Sequence, residues 1–294
     1  MPKQSLFTND PATDLGYINT RSANNDRAKA CRANCEALWE RFEPYADPEF
    51  VKEFASAFDA RYWEMYLTIA LLELGFELTC PKPGPDAGII FEGRRIWFEA
   101  TSPDRGMDGS PDQVPLPPEG GNVAYDVPNE KMILRYLNSV SSKKDQHDNW
   151  IAKGIVSKDD AFIVALNPRG LRHDYADTVP PRILQAAFAV GNQYITIKRD
   201  TLKQVGGGFH YRDQITKASG APVSTAVFQQ AKYTCLSGLL CSRVDVANQP
   251  EKLGDDFQLV PNPNAAIVVP DKFRLRGTYF KVERKGDGYD VTVN

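Results

Sequence analysis

The fold class this sequence predicts is a mixed α/β (α+β) layered domain, and three observations predict it. Residues 60–78, ARYWEMYLTIALLELGFEL, place Trp63, Tyr66, Leu67, Ala70, Leu71 and Leu74 at i, i+3, i+4, i+7, i+8 and i+11, the stripe of an amphipathic helix. Two short apolar runs, AGIIF (87–91) and RIWFEAT (95–101), flank the turn EGR and make a strand pair. A second long periodic stretch, Asn129 to Trp150, is followed by the continuous apolar run AFIVALN (161–167). The resulting order of helix, strands, helix and strand sets a mixed sheet between helices.

The elements follow in chain order. Residues 1–23 are polar and read as loose. Ala30, Cys31, Cys35, Leu38 and Phe42 recur at helical spacing, and Pro48 can open a further helix toward Phe58. The strong helix after residue 60 stops at Gly75. FELTC (76–80) reads as a strand and CPKPGP as a loop that forbids helix. Residues 103–128 form a long loop rich in Pro, Gly and Asp. Further on, helices are expected near 181–190 and 224–233, and strands at QYITIK and LSGLLCS. The C-terminal stretch makes a hairpin turning at Gly286-Asp287-Gly288. The chain divides into an N-terminal helical extension, 1–55, and one α/β domain, 56–294.

Composition excludes several function classes. The 294 residues are 42% hydrophobic and 25% charged, with no apolar run near the length of a membrane span. The first residues lack a secretory pattern, and five cysteines without a CxxC pair suit reduced thiols, so a cytoplasmic protein is expected. Cys31 and Cys35 read as packing residues, and the scattered His147, His173 and His210 give no zinc-hydrolase unit. A net charge of −3 advertises no general nucleic-acid surface, so any such partner meets a local patch. The oligomeric state is left open.

One constellation carries chemistry. On RIWFEAT one face holds Arg95, Trp97, Glu99 and Thr101, the other Ile96, Phe98 and Ala100. The second set suits a core beneath a helix, so Glu99 points the other way. Asp86 opens the preceding strand, and antiparallel pairing across EGR brings it beside Glu99. Converging carboxylates repel, and a hard cation such as Mg²⁺ offsets that with oxygen ligands. Glu64, at the margin of the helix stripe, can lean toward the same sheet edge.

Glu64, the Pro85-Asp86 pair and Glu99 together resemble the PD-(D/E)XK, or restriction-endonuclease-like, nuclease superfamily over about Asp59 to Asn167. The resemblance implies a restriction-endonuclease-like sheet in which Glu64, Asp86, Glu99 and the Ala100 carbonyl bind Mg²⁺ (or Mn²⁺). The implied activity is phosphodiester cleavage of nucleic acid, DNA foremost, by an endonuclease of bacterial or phage defence or repair. One position departs from the pattern: where the family has Lys two residues after the Glu, this chain has Thr101, which can hydrogen-bond but supplies no charge.

The second helix offers a replacement. With Met132 at 0°, Ile133, Tyr136, Leu137 and Val140 fill an arc of about 140° at ~100° per residue. Lys143 and Lys144 fall inside that arc, one turn on, and Arg135 and Gln146 lie just outside it, as substrate-binding residues do in the family. Other readings stand beside these: Glu64 paired with Arg61 at the helix edge, Trp97 in packing, the GGG at 206–208 as a flexible loop, and Arg94-Arg95 as a solvated turn. Thr101 and the acidic balance also suit a catalytically inactive nuclease-like scaffold serving as a binding or assembly module.

Overall fold

A computed structural model of the chain describes residues 4–120, 124–173, 177–286 and 288–293. Its centre is a seven-stranded mixed sheet. β1 (Ala87–Phe91) and β2 (Arg94–Thr101) form the expected hairpin at one edge, with Ala87 opposite Phe98 and Phe91 opposite Arg94. β2 runs parallel to β3 (Ala161–Leu166). Numbering the peripheral strands β4 (Val190–Ile197), β5 (Gln204–Tyr211), β6 (Gln214–Thr216) and β7 (Pro222–Ser224) makes β8 (Gly238–Cys241) the next in the sheet. Beyond it lie β9 (Gln258–Pro261), β10 (Thr278–Lys285) and β11 (Gly288–Val293), in the order β1-β2-β3-β8-β9-β10-β11.

The sheet separates two cores, and strand alternation assigns residues to each. Ile96 and Phe98 of β2, with Ile163 and Ala165 of β3, pack under α4 (Phe58–Glu73). Trp97 and Phe162, Val164 and Leu166 pack under α5 (Asn129–Ala152) and α6 (Arg182–Ala187). α4 is buried on all sides from Tyr62 to Leu71, because its outer face is covered by three N-terminal helices. These are α1 (Leu15–Ser22), α2 (Asp26–Phe42) and α3 (Phe50–Phe54), whose Tyr17, Trp39, Phe42, Phe50 and Phe54 share the first core. A relay of rings runs through them: Phe42–Phe50 at 4.8 Å, Phe50–Phe54 at 5.9 Å and Phe54–Phe58 at 4.9 Å between centroids.

Several expectations are corrected. The segment before residue 23 is not loose throughout. Asp14 caps α1 by accepting from the Gly16 and Tyr17 N–H groups, and Tyr17 is buried. FELTC is no strand. Only Thr79 pairs, exchanging 2.8 Å bonds with Gly88 in both directions, before the prolines at 81, 83 and 85 turn the chain away. Residues 224–233 hold two 3₁₀ turns, Val227–Gln229 and Ala231–Tyr233, rather than a helix. The GGG at 206–208 lies inside β5, where the ring of Tyr194 on β4 covers Gly208. The helix expected near 181–190 is shorter, Arg182–Ala187, whereas the strand at QYITIK is present within Val190–Ile197. The C-terminal hairpin is present, and Asp287 of its turn lies outside the described residues.

Candidate active site

At the open end of the β1–β2 hairpin a cleft of about 530 Å³ is lined by α4, the 82–86 loop, the end of β2 and α5. Glu64, Asp86, Glu99, Ala100, Thr101, Lys143 and Gln146 all face it. Two of the expected residues do not. Lys144 turns away to Asp148 Oδ2 at 2.7 Å and Asp145 at 3.4 Å. Arg135 donates to the Asp104 backbone carbonyl at 2.8 Å and binds its side chain, holding the long loop against α5.

Hairpin register builds the acid pair. Because Ala87 sits opposite Phe98, Asp86 falls opposite Glu99. The Asp86 N–H donates to Glu99 Oε2 at 3.3 Å, and Asp86 Oδ2 accepts from the Ala100 N–H at 2.7 Å. Glu99 shares its strand face with Trp97, the face turned toward α5, and is 3% exposed. From α5, Lys143 Nζ reaches Glu99 Oε1 at 2.6 Å and Gln146 Oε1 at 3.2 Å. The strand that lacks a lysine at position 101 therefore has an ammonium at its Glu99, delivered by the helix 44 residues downstream.

Glu64 is held from the other side. The Arg61 guanidinium contacts Glu64 and Glu53, and lies 3.9 Å from Asp47. Lys82 Nζ stands 3.7 Å from Glu64 Oε1. Helical spacing predicts the Arg61–Glu64 pair, whereas nothing in a Pro-rich loop marks where Lys82 points.

Electrostatics follow from four acids (Asp47, Glu64, Asp86, Glu99) facing three cations (Arg61, Lys82, Lys143) in a confined space. Burial, then the charge of Glu99, pushes the Asp86 carboxyl up to about 7 despite Lys143. Burial, then Asp86, pushes Glu64 up to about 7 against the pull of Arg61 and Lys82. Burial also raises Glu99, with Lys143 opposing. A cleft whose buried carboxylates resist ionisation fits a hard divalent cation, which supplies the missing positive charge through oxygen ligands. The three acids share the cleft but are not a closed cage. Among the described residues, the one His/Cys/Asp/Glu set with donor atoms all within 4.8 Å lies elsewhere.

Compared with family models, curated proteins and solved structures, the chain matches none of them.

Proposed function

We propose that the cleft is the catalytic centre of a Mg²⁺- or Mn²⁺-dependent phosphodiesterase acting on DNA, an endonuclease of the PD-(D/E)XK kind. The observation that carries this reading is Lys143, whose ammonium lies 2.6 Å from Glu99, two residues before Thr101, which stands in place of lysine. The order of α4, the β1–β2 hairpin, α5 and a parallel β3 supports it as well. Glu64, Asp86 and Glu99, with the Ala100 carbonyl, are the groups that would hold the cation, which polarises the phosphodiester. Lys143, steadied between Glu99 and Gln146, orients the attacking water and offsets charge that grows on the phosphate in the transition state. The Thr101 hydroxyl can donate to a phosphate oxygen. Lys82 and Arg61 line the same cleft and, once the cation takes over the charge of Glu64, become available to the DNA backbone.

The test is cleavage of plasmid and single-stranded DNA with Mg²⁺ and Mn²⁺ by the parent chain, Lys143→Met and Lys144→Met. Cleavage is expected from the parent, a fall of about 10²–10³ for Lys143→Met, and little change for Lys144→Met, whose ammonium is tied to Asp148. Undiminished cleavage by both variants refutes the lysine assignment.

A second reading, a catalytically inactive scaffold that binds or assembles, has one observation in its favour. Arg61, Lys82 and Lys143 already partner the acids they face without any ion. DNA retention without cleavage, together with no Mn²⁺ heat in calorimetry, selects that reading.

A further inference from the structure

One turn along α5 from Lys143, a different set of donors converges. We propose that His147, Asp148 and Cys235 form a second metal site, of the kind that takes Zn²⁺, with a remaining position left for water. The imidazole nitrogen, a carboxylate oxygen and the Cys235 sulfur all lie within 4.8 Å of one another. Adjacency in sequence joins His147 to Asp148, but Cys235 arrives 87 residues later, in the segment that leads into β8.

An independent observation points to a ligand there. His147 is 4% exposed, and its buried Nδ1 has no hydrogen-bond partner among the described residues. Leaving such a nitrogen empty costs about 1–3 kcal/mol. Asp148 does not satisfy it: Oδ1 stands 3.7 Å away, beyond hydrogen-bond reach. Lys144 occupies the other oxygen, Oδ2, at 2.7 Å, so Oδ1 remains for a ligand. Phe162 packs against the imidazole at 4.4 Å between centroids and fixes the ring's orientation. The Cys235 thiol makes only a 3.9 Å contact to the Lys232 carbonyl, and its partial exposure leaves an entry path.

Donor chemistry selects the ion. Imidazole nitrogen, sulfur and one carboxylate oxygen suit Zn²⁺ or Co²⁺, whereas Mg²⁺ asks for oxygen throughout. On binding, the Cys235 S–H bond breaks, its proton leaves to solvent, and the thiolate binds the metal while His147 stays neutral. No oxidant or reductant is involved. The site would clamp the segment before β8 onto the last turns of α5, the helix that presents Lys143 and Gln146 to the cleft.

The test uses the full chain, stripped with a chelator and titrated with Co²⁺. One equivalent is expected to produce a thiolate-to-cobalt charge-transfer band in the near ultraviolet, bleached by Zn²⁺ and unmoved by excess Mg²⁺. Cys235→Ser should lose the band while keeping its far-ultraviolet circular dichroism, and Asp86→Asn should retain it. His147→Gln should lose it too, and if that buried variant does not fold, Cys235→Ser carries the result. No band in the parent chain, a band that survives Cys235→Ser, or one abolished by Asp86→Asn overturns the proposal.

Discussion

At the scale of single residues, Lys143 and Asp86 behave oppositely when removed. Lys143→Met leaves the buried Glu99 without its cation, so the folded protein should lose about 1–3 kcal/mol, limited by protonation of Glu99. Adding Glu99→Gln should return most of that loss in denaturant unfolding without restoring cleavage. Asp86→Asn should stabilise the metal-free protein. An acid raised to about 7 when folded, against ~3.9 unfolded, favours folding at low pH. That contribution is lost as pH rises from about 4 to 7 and stays lost above. In chelator, the melting temperature of Asp86→Asn should therefore exceed that of the parent at pH 8 and match it near pH 4. An equal gap at both pH values would show that charge is not the cause. Lys143 was legible in sequence because a helical arc is a property of spacing, and Glu99 because strands alternate. Cys235 was not, since no local pattern reports a contact between residues so far apart.

At the scale of elements, the β1–β2 hairpin sets the geometry of the cleft, and Gly88 sets the hairpin. Gly88 pairs directly with Trp97, whose indole lies across it: an added Cβ would stand 2.3 Å and 2.4 Å from two ring carbons. The indole is pinned in turn by its Nε1 bond to Asp160 at 2.8 Å and by the Arg95 guanidinium at 5.0 Å. Gly88→Ala should cost about 1–3 kcal/mol and weaken Mn²⁺ binding in calorimetry, because the strained Gly88–Trp97 pair lies two residues along each strand from Asp86 and Glu99. The long elements were legible for a physical reason. α4, α5 and β2 each repeat a period long enough to stand out, and β1 and β3 are short apolar runs bounded by turn residues. The 3₁₀ turns at 227–233 follow tertiary contacts instead, with Val227, Phe228 and Tyr233 drawn into the second core, and the β5 glycines follow their pairing with β4.

At the scale of the whole molecule, the N-terminal helices are part of the first core. Without residues 1–55, Phe58 of α4 would lose the Tyr17 and Phe54 rings packed on it, and the first core would lose Tyr17, Trp39, Phe42, Phe50 and Phe54. A chain starting at residue 56 is expected to be insoluble or to lack a cooperative melting transition; a sharp transition near that of the full chain would show the extension to be dispensable. Sequence periodicity found α2 but not its role, because burial of both faces of α4 shows only when the layers are stacked. Among the described residues, no helix is long and apolar enough to cross a membrane.

The delivery of Lys143 by α5 divides the centre between two stretches of chain. Glu64, Asp86, Glu99 and Thr101 precede the 102–128 connection, and Lys143 and Gln146 follow it. Across the divide, β2 and β3 pair from Ile96–Ala161 to Thr101–Leu166. Upstream of its exposed residues 118–120, the connection is anchored by the buried Val114. A cut at 118–120 would thus yield two polypeptides, each holding part of the chemistry and one side of a strand interface. Expressed separately, they should be inert alone and regain activity on mixing, a split-protein pair written into the topology.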